Sequence, residues 1–372
     1  MRMPPQPAGE APCIPEALAP QLLETDRSSL DRTPLSPAIS GDKKSLSGAV
    51  AEEIGRLNGA RPLAFTLQLA RAWAVIIGAV CLAVYADSMW ATLIAIIVVA
   101  TRQNVLGLLV HEQAHLLGYR NRYGDLMVNL FAAYPLLALT VEGYAQVHLA
   151  HHRNYFTDKD PDFLRKSGEE WSFPKTPAKM ALLFLSDLFG LNTLKLIRGK
   201  RRSAKESESV FARRHRIPGW VRPAYFALIA GILTWTQAWG IFLLYWVLPI
   251  LTVSQVIVRW GAICEHKYNI AGASLQESTP LIVPSWWERL LLPNLNFGMH
   301  TYHHFFPGIS FSNLPRVHAI YEREGLVNRA NVFTGYGAYL RFITREAAAH
   351  QREMKTPFGR SVWASLLGRL QS

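Results

Sequence analysis

The sequence contains little cysteine, little charge and no apolar run near its start. Its three cysteines, Cys13, Cys81 and Cys264, have no pair spacing, so they support neither a disulfide framework nor a thiolate metal site. The first 60 residues lack the basic start, apolar middle and small-residue cleavage site of a secretory signal. Export is therefore not expected.

Only 18% of the 372 residues are charged, whereas 50% are hydrophobic, a proportion that is unusual for a soluble protein. Four apolar segments approach the roughly 20 residues needed to cross a bilayer. They cover residues 66–86, 87–110, 222–239 and 240–261. Because a short turn joins the members of each pair, the sequence predicts an all-α, multi-pass membrane protein with four transmembrane helices in two hairpins.

The net charge of +12 is compatible with nucleic-acid binding or with the basic cytoplasmic loops of a membrane protein. The hairpin turns contain no Lys or Arg, whereas residues 153–222 contain the basic runs "KLIRGKRRSAK" and "FARRHR". The positive-inside rule places this segment, and with it both termini, in the cytoplasm. We expect no nucleic-acid partner and an integral protein of a bacterial inner membrane.

The sequence divides into three parts. Residues 1–60 are expected to form a disordered tail, rich in Pro, Ser and Ala up to about residue 45, with a short amphipathic helix near its end. Residues 61–325 are predicted to form the membrane domain. Residues 326–372 are predicted to form a cytosolic amphipathic tail.

The histidines are clustered. "HEQAH" places two histidines four residues apart, and "HLAHH" and "HTYHH" each place three at i, i+3 and i+4. On a helix these positions share one face, where imidazoles one turn apart converge on a cation. One such cluster is weak evidence, since a histidine often simply packs or is solvated, but three clusters indicate a metal site. The residues are His111, His115, His148, His151, His152, His300, His303 and His304.

The predicted topology is consistent with one shared site. The first cluster follows the second span directly, and the second cluster stays on that side if residues 126–141, like 180–191, are interfacial or re-entrant. Two further crossings then return the chain before the third cluster and before His266, which is a ninth candidate ligand although a single histidine is more often structural. Nine imidazoles exceed the capacity of one ion and suit two ions with open positions. These histidines would lie together on the cytoplasmic side.

Several polar residues near the clusters are candidates for supporting roles. Four carboxylates could hold imidazole N–H groups, with a solvated surface group as an equal alternative for each alone. Asn296 precedes the third cluster, where it could approach a metal or cap a helix. Arg102, Gln103 and Asn104 lie within or at the inner end of the second predicted span, where polar residues are costly and often functional, unless the helix has already left the bilayer, which we favour slightly. The carboxylates are Glu112, Asp160, Asp162 and Glu265.

The motifs "HEQAH", "HLAHHRNYFTDKDPD", the "EH" at 265–266 and "NFGMHTYHHFFPGISFSNLPRVH" resemble those of the membrane fatty acid desaturase and hydroxylase superfamily, over about residues 65–325. The resemblance implies a non-haem di-iron enzyme that uses O2 and two electrons to attack an unactivated C–H bond. It implies that the nine histidines are the iron ligands, that they lie in a cytosolic histidine-rich helical cap, and that a lipid chain reaches the irons through a tunnel.

Departures from the family patterns narrow the expected substrate and donor. No HPGG motif of a fused cytochrome b5 domain occurs, so electrons are expected from a separate protein of the ferredoxin or cytochrome b5 type. Ala262 stands where acyl-CoA desaturases usually have Asn, which disfavours acyl-CoA. The pattern from His300 to His318 most resembles acyl-lipid and sphingolipid desaturases. We expect desaturation of a long acyl chain, with lipid or hydrocarbon hydroxylation as the alternative.

Two other classes of protein also use histidines in membranes. A haem-binding electron carrier would place facing histidines inside its spans, and a metal transporter would place ionisable ligands near the bilayer midplane. The histidines of this chain lie instead at the cytoplasmic ends of the predicted spans. Both alternatives are therefore disfavoured.

Overall fold

The computed structural model describes residues 46–121, 123–166, 168–198, 217–268 and 274–355, without the side chains of 195–198 and 346–355. Residues 1–45 of the predicted N-terminal tail, the centre of the basic loop and the end of the predicted C-terminal tail lie outside these residues. Helices form most of the described chain. The predicted predominance of helix is therefore confirmed.

The first hairpin consists of two long helices. A short helix, α1 (Gly48–Gly55), precedes it, followed by α2 (Pro62–Ala86) and α3 (Met89–Ala114). Helix α2 has Pro62 in its first turn, where the missing N–H costs nothing, and it ends at Asp87 in the left-handed conformation. Helix α3 continues past its predicted end at residue 110, because nothing in "LGLLVHEQA" interrupts a helix. Both helices are long and apolar enough to cross a membrane.

The apolar stretch predicted not to span is bent. Helix α4 (Gly124–Val128) continues through a π-helical turn, Asn129–Ala133, and a 3-10 turn, Tyr134–Leu136, and α5 (Val141–Asn154) then leaves at 90°. The Asn129 side chain accepts a hydrogen bond from the Val141 backbone at 2.9 Å and donates to Glu142 at 3.0 Å. One asparagine therefore fixes the start of α5, the helix that carries the second histidine cluster.

Three helices follow in the basic region: α6 (Pro161–Arg165), α7 (Pro177–Leu188) and α8 (Leu191–Arg198). Helix α7 contains most of the second stretch predicted to be interfacial, and it exposes Leu182 and Leu185. Its Asp187 is buried and pairs with Arg259.

The second hairpin differs from its prediction. Helix α9 (Val221–Trp235) has 15 residues, and α10 (Trp239–Glu265) has 27 and includes a π-helical turn at Leu243–Val247. At 1.5 Å per residue, α9 is about 22 Å long, shorter than the hydrocarbon core of about 30 Å. It ends early because Gln237 adopts a left-handed conformation in the turn. Three described helices are long and apolar enough to span a membrane, so the predicted count of four is not confirmed.

Short elements complete the described chain. Two two-residue strands pair in parallel, with Leu281 beside Val332 and Ile282 beside Phe333, so the fold is not purely α-helical as predicted. Their pairing joins the segment before the third histidine cluster to the last helix. The elements are α11 (Leu275–Ser278), β1 (Leu281–Ile282), α12 (Trp286–Leu291), α13 (His300–Phe305), α14 (Leu314–Arg323), β2 (Val332–Phe333) and α15 (Tyr336–Lys355), with 3-10 turns at Glu169–Trp171, Phe297–Met299 and Arg329–Asn331.

Helix α3 is the centre of the membrane part. In its most apolar window 56% of the residues are buried, against 22% in both α2 and α10. The Gln103 side chain donates to the Trp246 carbonyl at 2.9 Å and accepts from Ser254 at 2.6 Å, which ties α3 to α10. Trp246 in turn stacks on Trp73 of α2, with ring centroids 5.3 Å apart. The outward faces of α2 and α10 remain apolar and exposed, as expected for surfaces that contact lipid.

Removal of the Asp187 carboxylate is expected to destabilise this fold. Asp187→Ala would leave the buried Arg259 guanidinium without its partner, which typically costs about 3–5 kcal/mol of unfolding free energy. We expect a lower midpoint of thermal unfolding in detergent. Glu170→Ala removes an exposed carboxylate and should change stability by less than about 0.5 kcal/mol. Equal midpoints for the two variants would contradict the prediction.

Candidate metal centre

The structure brings all nine predicted histidines together. His111 lies in the last turn of α3 and His115 directly follows that helix, whereas His266 directly follows α10. The second cluster lies on α5 and the third on α13. All nine are buried except His115, which is half-buried. Four separate segments of the chain therefore deliver imidazoles to one enclosed region.

Five histidines form a first group, in which the Nε2 atom of each ring lies close to the Nε2 atom of at least one other ring. The Nε2 atom of His152 lies 3.0 Å from those of both His148 and His303. That of His111 lies 2.9 Å from His303, and that of His115 lies 2.9 Å from His148. The first group therefore consists of His111, His115, His148, His152 and His303.

The remaining four histidines form a second group. The Nε2 atom of His304 lies 3.1 Å from those of both His266 and His300, and His151 lies 3.3 Å from His266. The rings of His152 and His304 stack with centroids 4.1 Å apart, so the two groups are adjacent. The second group consists of His151, His266, His300 and His304.

These contacts fit two bound cations better than a network of hydrogen bonds. One Nε2 atom carries either one proton or one lone pair, so that of His152 cannot form good hydrogen bonds to two neighbouring Nε2 atoms at once. His304 is in the same position. Nitrogen atoms about 3 Å apart are, however, spaced like neighbouring ligands around an ion with metal–nitrogen distances of about 2.1 Å. The donor set therefore fits two metal ions.

Burial keeps these imidazoles in the form that binds metals. Loss of hydration lowers the pKa of His266, His300, His303 and His304 well below the ordinary value, and charge on neighbouring imidazoles lowers it further. A neutral imidazole has the free lone pair that a metal ligand needs. The site is thus prepared for a cation without first losing protons.

Asp160 contacts the Nδ1 side of the His151 ring. Its Oδ2 atom lies 2.8 Å from Nδ1 of His151, and both side chains are buried. Its Oδ1 atom accepts from the backbone of Asp162 and Phe163 at the start of α6. A carboxylate at Nδ1 holds the tautomer that leaves Nε2 free for a metal. Because it also caps a helix, Asp160 is itself held in place.

The other predicted supporting residues have different partners. Glu112 accepts from the Phe311 backbone at 3.0 Å, and Asn296 donates to the Phe311 carbonyl at 3.1 Å. Burial raises the pKa of Asp162, but the charges of Lys166 and Arg165 outweigh this effect and hold it well below its ordinary value. Glu265 is half-buried beside His266 and has no hydrogen bond to a histidine among the described residues. These four groups organise the surroundings rather than contact imidazoles directly.

Three further residues that contact the histidines were not predicted from the sequence. The Tyr144 hydroxyl lies 3.1 Å from Nδ1 of His111. The hydroxyls of Tyr155 and Thr279 lie 3.2 and 3.1 Å from Nδ1 of His266. Tyr144 stands one helical turn before the second cluster and Tyr155 directly after it, so position along the chain was an available signal for both. Thr279 has no such signal, because its contact depends on how α11 folds back.

The third cluster is held by a close backbone contact. Leu295 and Asn296 both adopt left-handed conformations immediately before the 3-10 turn that leads into α13. A Cβ atom on Gly298 in this turn would collide with the Ile282 carbonyl of β1. Only glycine lets the backbone lie this close to β1, so the strand pair fixes where α13 presents its histidines.

A family model for fatty acid desaturases matches residues 88–335, a segment that contains all nine histidines. The chain belongs to the fatty acid desaturase family. It is also similar to the dihydrorhizobitoxine desaturase of Bradyrhizobium elkanii, with 28% identity over 258 residues that cover 66% of this chain and 71% of the relative. The resemblance predicted from the histidine motifs is confirmed. Together with the buried histidines, it supports a membrane oxidoreductase of the desaturase type with a metal cofactor.

Loss of the Asp160 carboxylate is expected to weaken metal binding. Asp160→Asn retains the shape of the side chain and an oxygen that can cap α6, but it removes the negative charge at Nδ1 of His151. Such changes typically lower metal affinity by about 10–100-fold. Metal content measured by mass spectrometry after dialysis against a graded chelator series tests this. Asp158→Asn alters an exposed carboxylate nearby and serves as the control; equal retention by both variants would contradict the prediction.

Proposed function

We propose that the chain is an O2-dependent di-iron desaturase that introduces a double bond into a long acyl chain of a membrane lipid. The observation that carries this proposal is the convergence of nine buried imidazoles into two adjacent groups. The membrane-spanning helices place these groups at the end of the first hairpin away from its turn. Family membership supplies the reaction class.

We assign two iron ions to the two groups of histidines. No protein side chain cleaves an unactivated C–H bond, so the bound iron supplies the oxidising power, with O2 as co-substrate. In the overall reaction O2 would be reduced to two molecules of water by two hydrogen atoms from the lipid, with two protons from solvent and two electrons from an electron donor. We assign this last role to a separate ferredoxin or cytochrome b5-type protein.

The residues of the chain prepare and protect this chemistry. Asp160 holds the Nδ1 proton on His151, and either the Thr279 or the Tyr155 hydroxyl can accept the Nδ1 proton of His266, which keeps the opposite nitrogens directed inward. Burial of the rings excludes water, which would otherwise intercept a reactive oxidant. The left-handed turn at Leu295 and Asn296 and the contact at Gly298 set the position of α13. Orientation of the substrate relative to these fixed rings decides which carbon reacts.

The proposal includes the location of the enzyme and the extent of its domains. We assign residues 61–325 to the desaturase domain, with the remaining N- and C-terminal segments as tails. The basic runs between the two hairpins support a cytoplasmic site in a bacterial inner membrane. The exposed apolar faces of α2 and α10 support a substrate that is delivered from the bilayer.

The relative's name identifies its substrate as dihydrorhizobitoxine rather than a fatty acid. Membership of the family therefore does not by itself require an acyl-lipid substrate. For this reason the test of function surveys small polar metabolites as well as lipids.

Expression in a bacterial host supplied with a ferredoxin or cytochrome b5 system tests the proposed activity. We expect a lipid that is two hydrogen atoms lighter than its precursor, found by mass spectrometry and absent from the His151→Ala variant. His318→Gln changes a histidine outside both groups and should retain the product. A product one oxygen atom heavier would identify a hydroxylase instead. A new product confined to the polar extract, or none with iron bound and reduced, would refute the acyl-lipid proposal.

A further inference from the structure

A cavity of about 160 Å³ lies between α2, α3, α12 and the segment that follows α12. Three arginines from these separate elements line it: Arg71, Arg102 and Arg289. No acidic side chain is among its described lining residues, and Gln68 and Asn294 supply further N–H donors. Guanidinium groups that face one cavity repel one another, and a bound anion would offset this repulsion.

The guanidinium groups of these arginines form few hydrogen bonds within the described chain. Arg102 makes one long contact, 3.4 Å from Nη2 to the Leu290 carbonyl, and its Nε atom is buried without a hydrogen-bond partner among the described residues. Arg289 donates from Nε to the Pro284 carbonyl at 2.9 Å. The remaining guanidinium N–H groups are available to a ligand. Carboxylate and phosphate are the groups whose paired oxygens match this fork of donors.

The cavity lies at the depth of the membrane surface. Arg71 and Arg102 stand well inside α2 and α3, on the side of the helices that leads to the histidines. The neighbouring α12 exposes Trp286 and Trp287, which is typical of a segment at the boundary between lipid and water. A molecule with an apolar chain in the bilayer and a charged end would reach this cavity with its charged end.

The cavity is also close to the metal centre. Asn296 lies in its wall, and the ring of the next residue, Phe297, lies 4.5 Å from the ring of His111. Phe311 lies in the same wall, and its backbone donates to Glu112, the neighbour of His111. One layer of side chains therefore separates the cavity from the first group of histidines.

We propose that Arg71, Arg102 and Arg289 bind the anionic end, carboxylate or phosphate, of the substrate that is oxidised at the histidines. The inference rests on the proposed function and narrows its substrate class. The proposal disfavours neutral lipids and hydrocarbons as substrates, because they would offer no anionic acceptor to these guanidinium groups. A free fatty acid, another small carboxylate and the phosphate of a phospholipid all share the required chemistry.

Binding of single-chain probes to the purified, iron-loaded protein in an uncharged detergent tests the proposal. Decanoate and decyl phosphate carry the anion, whereas methyl decanoate has the same chain without charge. We expect at least one anionic probe to bind roughly tenfold or more tightly than the ester, as paired charge-assisted hydrogen bonds provide. The double variant Arg71→Gln/Arg289→Gln should lose this preference. Both side chains are exposed, so the variant should fold; Arg316→Gln, an exposed arginine on α14, is the matched control.

The outcomes distinguish the sources of the anion. Tighter binding of decanoate identifies a carboxylate substrate, and tighter binding of decyl phosphate identifies a phospholipid. Equal binding of ester and anions, or a preference that survives in the double variant, overturns the proposal. A phospholipid that native mass spectrometry finds in the cavity and that neither probe displaces also overturns it, because the site would then be structural.

The binding assay is independent of turnover. His151→Ala removes a proposed iron ligand but no lining residue of the cavity, so it should abolish product while the preference for the anion remains. A failure of the proposed function would thus appear in the product assay alone. A failure of the anion site would appear in the binding assay alone.

Discussion

Nine imidazole lone pairs converge in a region from which water is excluded, and the arrangement of the helices follows from this requirement. Neutral nitrogens about 3 Å apart repel one another unless a cation lies among them, so the rings must be held from outside. Contacts at Nδ1 from Asp160, Tyr155 and Thr279 provide part of this restraint. Two further contacts position the helices: the close approach of Gly298 to the Ile282 carbonyl of β1, and the Asn129 side chain, which accepts from the Val141 backbone at the start of α5.

The two long helices that lead to the site serve as supports that extend beyond the apolar layer. Helix α3 continues to Ala114 and α10 to Glu265, so that His111 lies in the last turn of α3 and His266 directly follows α10. The Gln103 side chain connects the two helices through Trp246 and Ser254. Gln103 therefore has a structural role, whereas its neighbour Arg102 takes no part in this link.

The sequence predicted the histidines well because their signal is local. Spacings of three and four residues place side chains on one helical face whatever the rest of the fold does. The supporting residues were harder to predict, since Thr279 and Glu112 find their partners through tertiary packing. The length of α9 was overestimated, because apolar composition does not reveal the left-handed turn at Gln237. The strands β1 and β2 are too short to leave any alternating pattern.

Arg102 and His111 are carried by the same helix. At 1.5 Å per residue they are about 14 Å apart along the axis of α3, and no loop lies between them. With the roles proposed for these two residues, α3 would hold the anionic end of the substrate at a fixed distance from the metal centre. The position of the new double bond, counted from the anionic end, would then stay constant while the length of the apolar tail varied.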